Sequence, residues 1–162
     1  MKMIYTKAEL MDAEELMTLY REAMKETWCT WNDTYPTLEL VQSDIARNAL
    51  FKLENDKGEI IAAISLDEDM LVEELRCWSR SARPATELAR LVVRADYRNQ
   101  GLARILLDKT MKEARSLGYR SVHFLVSKTN DRAIRSYAKL KFENVGESEL
   151  FGEHWWCYEK AL

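Results

Sequence analysis

Leu88-Ala89-Arg90-Leu91-Val92-Val93-Arg94-Ala95-Asp96-Tyr97-Arg98-Asn99-Gln100-Gly101-Leu102-Ala103-Arg104-Ile105-Leu106 is the stretch from which the fold is read. Leu91-Val92-Val93 is a short apolar run rich in β-branched residues, the pattern of a buried strand. A polar turn, Arg94 to Gln100, follows, and Gly101-Leu102-Ala103 opens a run with helical spacing. The first backbone N–H groups of a helix have no partner within it and point outward, and the macrodipole adds partial positive charge there. A strand that feeds a helix through a basic, glycine-containing turn is therefore built to receive an anion with several oxygens. Gly101 lets the backbone approach such an oxygen with no Cβ in the way, Ala103 keeps the first turn small, and Arg98 and Arg104 supply charge.

Outward from that stretch, Ala103, Leu106, Leu107, Thr110, Met111, Ala114 and Leu117 form one helical face, and Gly118 is the expected stop. Ser121 to Val126 reads as a second buried strand, and Asn130 as the cap of a helix carrying Ala133, Ile134, Tyr137, Ala138 and Leu140. Val145 to Leu150 and His154 to Lys160 read as strands joined by a turn at Gly152.

Toward the N-terminus, Lys2 to Thr6 is an expected edge strand. Asp12 is the expected cap of a first helix, with Glu15 as its capping-box partner and Leu16, Leu19, Tyr20, Ala23 and Met24 facing inward. Trp28 to Pro36 is aromatic and turn-like, and Thr37 caps a second helix with Leu38, Val41, Ile45 and Ala49 inward. Leu50 to Asn55 and Glu59 to Leu66 form a hairpin around Asp56-Lys57-Gly58. Between Asp67 and Thr86, Leu71, Leu75 and Trp78 have helix-like spacing, and Arg80 to Pro84 is loop.

A chain of 162 residues suits one domain, 1–162, with a proper core. No apolar run approaches the length of a membrane span, and Met1 to Leu10 lacks the apolar core of a signal peptide. Cys29, Cys77 and Cys157 are odd in number and form no CxxC, which suits reduced thiols in a cytoplasm. Residues 90–141 carry 13 Lys/Arg against 4 Asp/Glu, and the remainder 11 against 23, within a net charge of −3. The basic segment contains the glycine turn and so suits a polyanionic small molecule. The acidic remainder and the lack of any aromatic–basic stacking motif argue against nucleic acid. No cluster has metal-ligand spacing, and the absence of Gly-Lys-Ser/Thr at the turn excludes a P-loop hydrolase.

Arg98-Asn99-Gln100-Gly101-Leu102-Ala103 matches the pattern Arg/Gln-x-x-Gly-x-Gly/Ala, and the stretch from Asn130 to Phe142 matches Asn-x-x-Ala-x-x-x-Tyr-x-x-x-Gly-Phe except that Lys141 replaces the glycine. Two motifs in this order, with one helix and one strand between them, resemble the GNAT superfamily of acetyl-CoA-dependent N-acetyltransferases. The resemblance is close from Glu87 to Phe142 and rests elsewhere on the order of elements. It implies an α/β fold: a central twisted mixed sheet of about seven strands with helices on both faces and splayed parallel central strands.

By the same resemblance, acetyl-CoA is the cofactor, its pyrophosphate held by Arg98, Asn99, Gln100, Gly101, Leu102, Ala103 and Arg104, its pantetheine by the backbone of Leu91, Val92 and Val93. Asn130 and Ala133 complete the cofactor site, and Tyr137 is the expected general acid for the leaving thiolate. Glu87 is placed where family members carry a base, although a solvated strand-end carboxylate fits the residue equally well. His123 reads as structural, within a buried strand.

The acceptor is an amine, small-molecule or peptide. Trp28, Trp31, Tyr35 and Trp156 are candidates to wall its site and Asp33 to attract its charge, with core packing and a homodimer contact as the alternative for the aromatics. The competing function is a non-catalytic acyl-CoA sensor, which has no need of Tyr137.

Overall fold

The computed structural model describes residues 2–79 and 81–162. The chain forms two compact units, one of Met1–Leu66 and Ala89–Thr110, the other of Asp67–Leu88 and Met111–Leu162. Seven strands are hydrogen-bonded in the order β1-β2-β3-β4-β5-β7-β6, and strand β4, Ala85–Val93, contributes one half to each unit. The sheet is mixed: β4 and β5 are parallel, whereas β1–β2, β2–β3, β5–β7 and β6–β7 are antiparallel.

In the first unit, β1 (Ile4–Lys7) is the edge strand, followed by a 3-10 turn at Leu10–Asp12 and helix α1 (Ala13–Ala23). The expected capping by Asp12 with Glu15 is not what forms. Asp12 is already helical in backbone, because the turn before it starts the helix early. Its carboxylate instead accepts from the Glu9 N–H at 2.7 Å and pairs with Lys52 at 2.8 Å, while Glu15 accepts from the Ile60 N–H at 2.8 Å. Thr37 caps α2 (Leu38–Ala46) as expected, accepting from the Leu40 N–H at 3.2 Å. The helix ends before Ala49, which is buried in the connection. β2 (Leu50–Glu54) and β3 (Ile60–Asp67) form the expected hairpin. Leu16, Tyr20, Val41, Leu50, Ile60, Ala63 and Val92 meet in one apolar cluster. Each fully buried Leu or Ile there contributes roughly 1.5–3 kcal/mol.

In the second unit, the helix-like spacing of Leu71, Leu75 and Trp78 yields only one turn, α3 (Met70–Glu73). Trp78 is buried by folding back, its indole N–H donating to the Val72 carbonyl at 2.7 Å. Of the loop expected at 80–84, Arg80 lies outside the described residues, and strand β4 begins at Ala85, well ahead of the Leu91-Val92-Val93 run. Helix α4 (Leu102–Ser116) buries Leu106, Leu107, Thr110, Met111 and Ala114 as the spacing requires, but Leu117 lies past its end and is 56% exposed. Gly118 ends it at φ +97. The parallel ladder of β4 with β5 (Ser121–Ser127) pairs Ala85 with Ser121, Thr86 with Val122 and Glu87 with His123.

Asn130 caps α5 (Asp131–Lys139), accepting from the Ala133 N–H at 3.1 Å. Ala138, expected inward, is exposed. Lys141 takes the left-handed conformation that glycine would occupy, φ +63, at a cost of roughly 1 kcal/mol. β6 (Glu143–Leu150) and β7 (Glu153–Ala161) close the sheet.

Candidate functional site

The turn between β4 and α4 is fastened at several points within the first unit. The Arg94 N–H donates to the Ile61 carbonyl at 2.8 Å, the Ala95 N–H to Glu22 Oε1 at 2.7 Å, and Asn55 Nδ2 to the Tyr97 hydroxyl at 3.1 Å. A 3-10 turn at Ala95–Tyr97 carries the chain around. Asn99 and Gly101 then adopt left-handed conformations, φ +62 and +79, before α4 begins at Leu102. A Cβ on Gly101 meets no atom within 4 Å. The space beside this backbone is thus open, and the demand for glycine comes from φ and from whatever approaches. Asn99, Gln100, Gly101 and Arg104 are exposed, Ala103 is half-buried, and the buried Leu102 anchors the first turn of the helix. The residues fit a polyanion: outward N–H groups at a helix start, a glycine at positive φ, and no side chain over it.

Arg98 is not poised in the open. Its Nη1 donates to Glu26 Oε1 at 2.6 Å, its Nε to the Val93 carbonyl at 3.2 Å, and its guanidinium lies 5.5 Å from the Trp28 ring centre. The exposed cation on this turn is Arg104. Leu91 and Val93 are half-buried and Val92 is core, so the expected pantetheine-binding backbone belongs to a strand fixed by the side chain between them.

The acceptor candidates divide. The Tyr35 hydroxyl accepts from Arg90 Nη1 at 2.9 Å, and Trp31 packs edge-on to Tyr20 at 5.4 Å. Trp28 and Trp31 both pack against the apolar cluster, so the core reading applies to them. Asp33, by contrast, lines a cavity of about 320 Å³ with Met17, Arg21, Met24, Pro36, Thr37, Leu38 and Glu39. Trp156 is in the second unit, half-buried, with the Lys128 ammonium 4.3 Å from its ring centre.

The sequence reading passed over Arg90 and Asp44. Arg90 sits in β4 at φ +54 and reaches Asp44 in the interior with Nε to Oδ2 at 2.9 Å and Nη2 to Oδ1 at 3.1 Å. Asp44 also accepts from Ser65 Oγ at 2.7 Å and Arg47 Nη2 at 2.7 Å. An arginine inside an apolar strand run, and an aspartate between Val41 and Ile45 on a helix's inner face, were the signals that each had a buried partner.

In the second unit, Tyr137 projects from α5 into a ring cluster, 4.5 Å from Phe124, 6.0 Å from Phe142 and 6.3 Å from Tyr158. The residue is half-buried overall, yet desolvation pushes its hydroxyl up to about 12. Among the described residues that hydroxyl has no hydrogen-bond partner. A phenol raised in this way keeps its proton at physiological pH. Glu87 is half-buried in β4, opposite His123. His123 is 2% exposed, lies 4.7 Å from the Trp78 ring, and has both ring nitrogens buried without a partner. Burial, reinforced by Arg83, pushes it down to about 4.

Residues 13–142 match the model of the acetyltransferase (GNAT) family. No curated protein sequence matches the chain. Among solved structures, the fold is similar to PaiA N-acetyltransferase from Thermoplasma acidophilum in complex with coenzyme A, with a TM-score of 0.77, 19% identity, and coverage of 100% of both chains. It is also similar to ribosomal-protein-alanine N-acetyltransferase from Brucella melitensis, with a TM-score of 0.77, 21% identity, and coverage of 98% of this chain and 99% of that one. A GNAT-family acetyltransferase from Streptococcus pneumoniae gives 0.75 at 19% identity, covering 99% and 100%. At these identities the likeness is one of fold.

Proposed function

The chain belongs to the acetyltransferase (GNAT) family, and on that premise we propose that it is a single catalytic domain that transfers the acetyl group of acetyl-CoA to a primary amine by direct attack. Acetyl-CoA is the acetyl donor of this family and the cofactor of this chain. What carries the reading is the β4–turn–α4 geometry, in which Gly101 at φ +79, with no atom within 4 Å of its Cβ position, adjoins the N-terminus of a helix. The assigned pyrophosphate donors are the backbone of Asn99 to Arg104, with Arg104 adding charge and Arg98 steadying the turn through Glu26 and Trp28. Leu91, Val92 and Val93 are assigned to the pantetheine amides, and Asn130 and Ala133 to the cofactor end of α5.

Acetyl-CoA, when bound, supplies an acetyl group activated as a thioester. The chain's task is then to deprotonate the acceptor ammonium, hold the carbonyl oxygen and protonate the leaving sulfur. Glu87 is assigned as the base, directly or through water, and a strand N–H among Leu91 to Val93 as donor to the oxygen. Tyr137 is the assigned acid. A hydroxyl pushed up to about 12 by burial is protonated at any physiological pH, so it has a proton to donate as negative charge develops on the leaving sulfur. For the acceptor, the groove lined by Asp33, Glu39 and Arg21 over Met17, Met24 and Leu38 favours an amine with an apolar stem.

No helix among the described residues is long and apolar enough to cross a membrane. A cytoplasmic location is proposed on the strength of three free thiols, and homodimer formation through the half-buried Trp155 and Trp156 is a further proposal that light scattering tests. The function is tested by release of free thiol from acetyl-CoA in the presence of spermidine, kanamycin, an amino-acid amide or an alanine-started peptide. Amine-dependent release supports the reading. Tight acetyl-CoA binding with no release from any of them points to an acyl-CoA sensor.

A further inference from the structure

The turn that carries Asp33 is braced against itself. Asn32 and Tyr35 exchange backbone hydrogen bonds, the Tyr35 N–H donating to the Asn32 carbonyl at 3.0 Å and the Asn32 N–H to the Tyr35 carbonyl at 3.1 Å. The Asn32 side chain closes the tip, its Oδ1 accepting from the Thr34 N–H at 2.8 Å and from the Thr34 hydroxyl at 2.6 Å. Asp33 stands at that tip, exposed, and lines the cavity of about 320 Å³ with Arg21 and Glu39, over the apolar Met17, Met24 and Leu38. Two carboxylates against one guanidinium favour a cation there. Among the described residues the Asp33 carboxylate has no hydrogen bond or ion pair of its own.

Both ends of the turn are tied to the same buried polar group. At one end the Tyr35 hydroxyl accepts from Arg90 Nη1 at 2.9 Å, and the guanidinium lies 6.0 Å from the Tyr35 ring centre. Arg90 is itself fixed by its two hydrogen bonds to Asp44, with side-chain exposures of 3% and 1%. At the other end Trp31 packs edge-on to the fully buried Tyr20, and Arg90, Asp44 and Tyr35 all lie near enough to act on the Tyr20 hydroxyl. A hydrogen bond from an ionised donor is roughly twice as strong as a neutral one. The Arg90–Tyr35 bond therefore holds an exposed connection that would otherwise move freely. A carboxylate held still over a cavity binds a cation better than a mobile one, because its freedom is lost before binding rather than during it.

We propose that Tyr35, anchored on Arg90, is a positioning residue that holds Asp33 in place as the counter-ion of the incoming acceptor amine. The proposal rests on the acceptor entering this cavity, as the proposed function has it. Tyr35 then has a different part from that of a wall around the amine. Its hydroxyl faces the buried guanidinium, and its effect reaches the acceptor only through the turn and Asp33. Asn32 is the second positioning residue, since it braces the tip from within. Recognition of the acceptor's positive charge is thus fastened to β4 by one hydrogen bond, one residue before the Leu91 to Val93 backbone assigned to the cofactor.

The test compares wild type with Asp33→Asn, Tyr35→Phe and Asn32→Ala, and with the last two each combined with Asp33→Asn. The acceptor is the fastest among spermidine, kanamycin and an alanine-started peptide. No turnover of any of the three by wild type is a failure of the proposed function, and this proposal falls with it. Where turnover is seen, Asp33→Asn raises the acceptor KM by about tenfold. A wild-type KM there takes the amine out of this cavity and overturns the proposal, while acetyl transfer itself stands. Tyr35→Phe deletes the oxygen that accepts from Arg90 and keeps the ring and the Arg90–Asp44 pair. Asn32→Ala unbraces the tip and leaves Arg90 untouched. Each raises the acceptor KM by about fivefold at unchanged kcat and acetyl-CoA affinity, and neither adds to the effect of Asp33→Asn, because both act through it. Effects that add to Asp33→Asn, a loss in kcat instead of KM, or wild-type KM in both variants overturns the positioning role. Amide hydrogen exchange gives an arm that needs no acceptor. The Asn32 and Tyr35 N–H groups exchange about tenfold faster in Tyr35→Phe at an unchanged melting temperature, and wild-type exchange in that variant overturns the anchor.

Discussion

Arg90 and Asp44 form a two-pronged ion pair in the interior of the first unit, Nε to Oδ2 at 2.9 Å and Nη2 to Oδ1 at 3.1 Å, with side-chain exposures of 3% and 1%. The pair ties α2 to a strand residue held at φ +54, where a non-glycine backbone is strained. Tyr20 shares this environment, its hydroxyl buried without a partner and pushed upward by that burial.

Removing one member is therefore expected to cost far more than a surface ion pair. Asp44→Ala leaves the Arg90 guanidinium buried without its carboxylate, and a loss of about 3–5 kcal/mol follows. Urea denaturation measures it. A loss below about 1 kcal/mol, the worth of an exposed pair, would show that water reaches the site and that the pair is not holding the strand.

His123 gives the fold an acid sensitivity. Its ordinary value is 6.5 and its folded value about 4, so between these the unfolded chain binds the proton and the folded chain does not. Stability from this residue is fully present above about pH 6.5 and is lost as pH falls toward 4, by up to about 3 kcal/mol. His123→Phe removes the slope. Denaturation midpoints at pH 7 and pH 5 should differ in wild type by more than in the variant, and equal differences would place the acid sensitivity elsewhere.

Gly101 separates a steric from a conformational requirement. Nothing lies within 4 Å of its Cβ position, so Gly101→Val costs the free protein only the strain of φ +79, roughly 1–2 kcal/mol. The larger effect is expected in cofactor binding, because the side chain would occupy the space proposed for the pyrophosphate. Calorimetry should show acetyl-CoA affinity reduced by tenfold or more while the variant stays folded, and undiminished affinity would make the turn purely structural.

How much of this was legible in the sequence depended on the range of the interaction. The β4–turn–α4 unit was legible because glycine, strand propensity and helical spacing are all local signals, and the same holds for Asn130 and Thr37, whose caps act over three residues. The left-handed Lys141 followed from the motif position that glycine ordinarily fills. Asp12 was misread because its local pattern fits a cap equally well one turn later. The choice was made by Lys52, which lies across the hairpin and is remote in sequence. Asp44 with Arg90, and His123 with Glu87 and Glu159, are pairings of distant segments set by strand register and helix placement. Sequence periodicity shows that such residues face inward, but not which partner meets them.

The central claim is that an amine is acetylated with Tyr137 as the proton donor to sulfur. Tyr137→Phe deletes one oxygen, keeps the ring among Phe124, Phe142 and Tyr158, and breaks no hydrogen bond with a described residue. Single-turnover measurement of amine-dependent thiol release, alongside calorimetric acetyl-CoA affinity, is the direct test. The account predicts a rate lower by roughly 10²-fold at unchanged affinity and unchanged melting temperature. Full activity, or activity lost in step with binding or folding, would contradict it and return Tyr137 to the aromatic core.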